Sequence, residues 1–172
     1  LERAEHIADQ TLGAGHWIAA YVPPLLSYTD AGKAKRAVLT AALIARLPEM
    51  EAIHGAYDAR AGEALRHSDD EISRLVGASL PPQPQGDLYI TTGPHWFDEL
   101  GETKGRGTNH GTPWPYDRQV PVLMWGTGIK RLSSETVFDV RQVATTLARL
   151  LAVPAPPGAP RTPLPGLAPL AR

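Results

Sequence analysis

Val120 to Trp125, read Val-Pro-Val-Leu-Met-Trp, is an apolar run with no polar alternation. A strand with one wet face alternates, so a run without alternation predicts a strand buried on both faces. Such a strand needs cover above and below, which points to helices packed on a sheet. One helix of this chain is placed to cover one face. Val140, Val143, Ala144, Leu147, Leu150 and Leu151 follow the helical repeat behind Asp139, a capping residue, and this helix is expected to pack on the sheet. The other face calls for cover from elsewhere. The chain also begins at Leu1 with no export signal ahead of its first periodic segment. It is therefore expected to be an internal fragment or a processed product.

The remaining elements alternate helix and strand, which predicts an α/β or α+β architecture. Leu1–Leu12 reads as a helix with Ala4, Ile7, Ala8 and Leu12 on one face and Gly13 as its stop. His16–Val22 reads as a strand ended by Pro23 and Pro24. Asp30 is the expected N-cap of a helix reaching Leu47, with Leu39, Leu43 and Leu47 on its buried stripe and Val38 and Ala42 widening it. Ala52–Tyr57 and Leu88–Ile90 read as strands, and Ser68 with Glu71 as a capping box before Ile72, Leu75 and Val76. Gly93–Tyr116 has no periodicity. Beyond Val153 the chain is a proline-rich tail, extended or docked as an irregular strand.

Composition removes several function classes. The 172 residues carry a formal net charge of −1, whereas a general nucleic-acid binder has a basic surplus. No apolar run approaches the ~20 residues of a membrane-spanning helix. With no cysteine there is no disulfide framework, thiolate metal site or cysteine nucleophile.

The segment from Gly107 to Lys130 carries the chemistry. It holds Asn109-His110-Gly111-Thr112, then Tyr116-Asp117, then Val120–Trp125 and Gly126. A histidine followed by glycine, in a loop before an apolar run, can be held rigidly while backbone approaches a ligand; a surface histidine is the plainer alternative. The arrangement resembles the C-terminal motif of the alkaline phosphatase superfamily, in its phosphatase and phosphodiesterase branch. The resemblance extends to Gly86-Asp87-Leu88 and to the helix Val140–Leu151 with its Val153-Pro154 step, covering Gly86 to Pro157. Asn109 departs from the Thr or Ser usual there, which puts one hydrogen bond around the histidine in question.

This resemblance implies the C-terminal part of an alkaline-phosphatase-like α/β/α sandwich, a mixed sheet with packed helices. Residues 1–153 would belong to that domain and 154–172 to the tail. It implies a metal-dependent phosphoric-ester hydrolase, periplasmic or secreted. His110 would bind one of two divalent metals, usually zinc, that activate a Thr or Ser nucleophile toward a phosphate ester. The other ligands of the family come as an Asp-x-x-x-His pair and an Asp-His dipeptide, and neither pattern occurs here. The fragment is thus expected to supply one ligand, to be inactive, to bind no metal alone and to self-associate. A non-catalytic α/β binding or interaction domain is the alternative. Other candidates read more simply. His67/Glu71 and His95/Glu99 are spaced as solvated pairs, and Ser133 and Ser134 as a helix approach. Gly126-Thr127-Gly128 lacks the third glycine of a dinucleotide turn, and Gly101–Gly107 lacks a P-loop ending, with Lys104 and Arg106 in a solvated loop. Trp96, Trp114 and Trp125 are candidates to line a cleft. Trp125 is expected in the core and Trp114 at a site wall.

Overall fold

The computed structural model describes residues 1–98, 110–127 and 129–166. The chain divides into two compact units, Leu1–Val120 and Pro121–Arg172.

The first unit is built on a four-stranded sheet in the order β1-β2-β4-β3, formed by β1 (Ile18–Val22), β2 (Leu25–Tyr28), β3 (Ile53–Asp58) and β4 (Leu88–Thr92). Every pair is antiparallel. The α/β class agrees with expectation; among the described residues the pairing is antiparallel rather than mixed. Alternation along the strands sends successive side chains to opposite faces. Leu26, Tyr28, Ala56, Leu88 and Ile90 point to one face, where they meet Ala4, Ile7 and Ala8 of α1 (Glu2–Leu12) and Leu39 and Leu43 of α3 (Arg36–Arg46). Leu25, Tyr57 and Tyr89 point to the other, against α4 (Gly62–Arg66) and α5 (Glu71–Ser79), with Leu65, Ile72, Val76 and Leu80. The sheet therefore lies between two helical layers. Gly77 makes the second layer possible: a Cβ there would stand 2.6 Å from the Arg66 nitrogen and 2.8 Å from the Gly62 carbonyl.

Several boundaries differ from the sequence reading for local reasons. Pro23 and Pro24 make the turn of a hairpin, and β2 follows at once. The helix expected from Asp30 to Leu47 breaks at Lys35 into α2 (Asp30–Ala34) and α3, and Thr29 is the N-cap, its hydroxyl accepting from Gly32 N–H at 3.1 Å. Val38 is 54% exposed, so it does not widen the buried stripe. Asp70, not Ser68, caps α5 by accepting from Ser73 N–H at 2.7 Å.

One ion cluster ties the first helical layer to the sheet. Arg36, at the start of α3, donates to Asp58 Oδ1 at 2.8 Å and to the Asp87 carbonyl at 3.1 Å, and pairs with the Asp87 carboxylate. Asp87 is buried, and its second oxygen accepts from Tyr28 N–H at 2.7 Å. The guanidinium also lies 5.8 Å from the Tyr28 ring centre. Tyr28 shares a 2.9 Å hydrogen bond with Thr40, and burial pushes its hydroxyl up to about 12.

The second unit holds α7 (Gln142–Leu150). Asp139, expected as its cap, stands two residues ahead of the N-cap position at Arg141; its carboxylate accepts from Arg141 N–H at 2.9 Å while its own N–H donates to Gln142 Oε1 at 3.0 Å. The proline-rich tail docks along one side. Thr145 donates to the Pro160 carbonyl, Gln142 donates to the Thr162 carbonyl at 3.3 Å, and Leu164 N–H donates to Thr146 Oγ1 at 2.8 Å, burying Leu164. That side carries Thr145, Thr146 and Ala148, not the apolar stripe predicted to be buried; Val140, Leu147 and Leu151 are exposed. Val120–Trp125 also departs from expectation. It forms no strand, and Leu123 and Trp125 are 94% and 98% exposed. Among the described residues all four strands lie earlier in the chain, and none pairs with this run.

Two outcomes follow from the ion cluster. Asp87→Ala leaves the Tyr28 N–H and Arg36 without their buried acceptor and should cost about 3 kcal/mol in urea unfolding; a loss under about 1 kcal/mol would contradict the role assigned to it. The Tyr28 hydroxyl ionises near 10.0 when unfolded and near 12 when folded. Its contribution is therefore complete below pH 10 and lost as pH rises toward 12. Unfolding measured across that window should show stability falling less steeply in Tyr28→Phe than in the parent chain.

Candidate metal-ligand loop

His110 lies in a short loop that ends in α6, a single turn from Pro115 to Arg118. Gly111 follows it at φ +107°, a conformation that L side chains rarely adopt, and this turn leaves His110 at the surface. The loop is closed by Asp117, whose Oδ2 accepts from Thr112 N–H at 2.9 Å and from the Thr112 hydroxyl at 2.6 Å. The hydroxyl first, then the N–H, hold the Asp117 carboxyl below the usual carboxylate range, and positive charge on His110 adds to the effect. Pro115 at the first helical position starts the turn with its φ already set.

Two aromatic side chains fasten this loop to the end of the sheet. The Trp114 indole N–H donates to the Thr92 carbonyl, the last residue of β4, at 3.1 Å. Its ring meets that of His54 edge-on, with centres 4.9 Å apart and planes at 82°. His54 is available because β3 is bulged there: Ile53 pairs with Thr92 and Gly55 with Thr91, so His54 is the extra residue. A bulge re-aims the side chain it carries. Tyr116 makes the second attachment. Its hydroxyl accepts from His95 N–H at 2.8 Å, and the two rings stack at 5.2 Å and 12°. His95 itself sits at φ +67°, a strained position for a residue with a Cβ. Arg118 adds an ion pair to Glu71 at 2.7 Å.

Trp114 fastens the loop to the sheet, and Trp125, expected in the core, is at the surface. His67 pairs with Glu63 at 3.2 Å, not with Glu71. Ser134 Oγ accepts from Thr136 N–H at 3.2 Å in an exposed stretch. Glu99, Gly101–Gly107 with Lys104 and Arg106, Asn109 and Gly128 lie outside the described residues. His54 and Thr92, which brace the loop, escaped the sequence reading. A bulge leaves no mark in the hydrophobic pattern, and a carbonyl acceptor leaves none at all.

Among the described residues no three His, Asp or Glu side chains stand close enough to hold a metal ion. A zinc site takes three or four protein ligands. His110 alone does not fit that requirement, and Asp117, the nearby carboxylate, already has an oxygen committed to Thr112.

The chain is similar to three curated proteins over about half its length. Alkaline phosphatase PhoK of a Sphingomonas species is 30% identical over 80 residues, 46% of this chain and 14% of the relative. A protein named calcium-transporting ATPase from Myroides odoratus is 30% identical over 79 residues, again 46% and 14%. Alkaline phosphatase PhoV of Synechococcus elongatus is 28% identical over 88 residues, 51% and 15%. The match therefore spans only about a seventh of these relatives, and it supports a distant relationship to alkaline phosphatases. No protein-family model and no solved structure matches the chain. No helix among the described residues is long and apolar enough to cross a membrane.

The loop geometry predicts the behaviour of one substitution. Thr112→Val removes the hydroxyl while keeping the backbone N–H. The Asp117 carboxyl should then titrate closer to an ordinary aspartate, as followed by NMR of its side-chain carbon. An unchanged titration would show that the hydroxyl does not set it.

Proposed function

We propose that this chain is the His110-bearing portion of a metal-dependent phosphoric-ester hydrolase of the alkaline phosphatase kind. The similarity to the PhoK and PhoV phosphatases carries this reading. The braced, exposed histidine loop supports it, because a metal ligand must be accessible and held in one orientation. In this reading residues 1–153 belong to the phosphatase domain and 154–172 are its tail. His110 is one ligand of a pair of divalent metals, zinc being the natural choice for an imidazole, and the remaining ligands and the nucleophile come from further polypeptide. When bound, such metals supply Lewis-acid stabilisation of charge at phosphorus. The protein is periplasmic or secreted, and its substrate is a phosphate monoester or diester. This portion is inactive and metal-free by itself, and its exposed apolar residues favour self-association.

The test uses the longer protein, with metal content and phosphate-ester hydrolysis measured before and after His110→Ala. Loss of about one metal per chain and a drop in turnover of several orders of magnitude are expected, since metal stabilisation of the transition state is worth several kcal/mol. Unchanged metal content and turnover would remove His110 from the site. No metal and no hydrolysis in the parent protein would favour a non-catalytic binding domain.

A further inference from the structure

A cavity of about 210 Å³ opens at the same end of the sheet as the His110 loop. Its walls include Leu26, Ile53 and Ile90 from the sheet, Leu47 from the turn after α3, and Trp96 and Phe97. Trp96 and Phe97 are 45% and 40% exposed, so the apolar lining continues outward to solvent. Thr92 joins this cavity to the loop. It lines the cavity, and its carbonyl is the acceptor that fixes Trp114. His95, stacked on Tyr116, precedes Trp96 directly.

We propose that this cavity is a subsite for a neutral monocyclic aromatic group. The volume selects the size. An apolar cavity of roughly 150 Å³ accepts benzene, so this one holds a single substituted ring but not a nucleobase with its sugar. The polar lining selects the charge. Tyr21 and Asp98 also line the cavity and are hydrogen-bonded to each other, which places a carboxylate where an anionic ring substituent would be repelled. An uncharged ring with at most a hydroxyl to offer the Tyr21–Asp98 pair meets these conditions. Taken with the reading above, on which this step rests, the subsite would receive the aryl group of an aryl phosphate ester beside the His110 loop.

Phenol is the probe for the chain itself. Titration followed by NMR should give saturable shifts at the Trp96 indole and the Ile90 and Leu26 methyls, with ring-proton contacts to those methyls and a dissociation constant on the order of 1 mM. Inorganic phosphate at the same concentration should leave these signals in place. Met50 and Ala52 also line the cavity. Met50→Trp, or Ala52→Phe if that variant unfolds, should weaken phenol binding about tenfold or more. Shifts that do not saturate, or ring contacts that fall elsewhere, would overturn the subsite whatever the variants do. In the longer protein, the same filling substitution should reduce kcat/KM for phenyl phosphate against methyl phosphate about tenfold. Phenol binding without any hydrolysis would sink the phosphatase reading and spare the cavity. Hydrolysis with no preference for the aryl ester and no phenol binding would do the reverse.

Discussion

Arg36 is the point on which the first unit depends. It sits at the first turn of α3, yet its partners lie at the end of β3 and immediately before β4. A half-buried guanidinium needs its charge and its donors satisfied together, because the cost of drawing it partly out of water is recovered only with good geometry. Here two carboxylates, a carbonyl and the Tyr28 ring surround it. Asp87 simultaneously holds the backbone of β2 through Tyr28. One residue cluster therefore fixes the angle of the α1–α3 layer against the sheet and the alignment of three strands within it.

That alignment is what allows the far end of β4 to act as an anchor. Once the β3–β4 register is set, the bulge at His54 falls opposite the Thr91–Thr92 step, and Thr92 presents its carbonyl to Trp114. The loop carrying His110 is then restrained at Trp114 and Tyr116, closed by Thr112 and Asp117, and reversed by Gly111. His110 itself is exposed at the end of this restrained loop.

Local features of the fold were legible where pattern and partner lie close in sequence. The α1 stripe of Ala4, Ile7 and Ala8 with its Gly13 stop is such a case, and so are the strands at 18–22, 53–58 and 88–92. Errors arose where burial depends on what lies alongside. Val120–Trp125 has the composition of an interior strand, but composition cannot supply a neighbouring strand, and none stands beside it among the described residues. The helix after Asp139 was found, yet its threonine side is the one covered, because Thr145, Thr146 and Gln142 can bond the carbonyls and N–H groups of a proline-rich segment that has little else to offer them. At the candidate site, the flanking motif made the His110 loop legible as a candidate. Its brace was not, since it consists of a bulge, a main-chain carbonyl and an edge-on ring contact.

The account turns on whether the braced imidazole reaches a metal. The most direct measurement is an anomalous-difference map of the longer protein crystallised with zinc. The account predicts a metal peak about 2.0–2.1 Å from a ring nitrogen of His110, the ordinary zinc–imidazole distance. A fully occupied metal site whose ligands do not include His110 would contradict it.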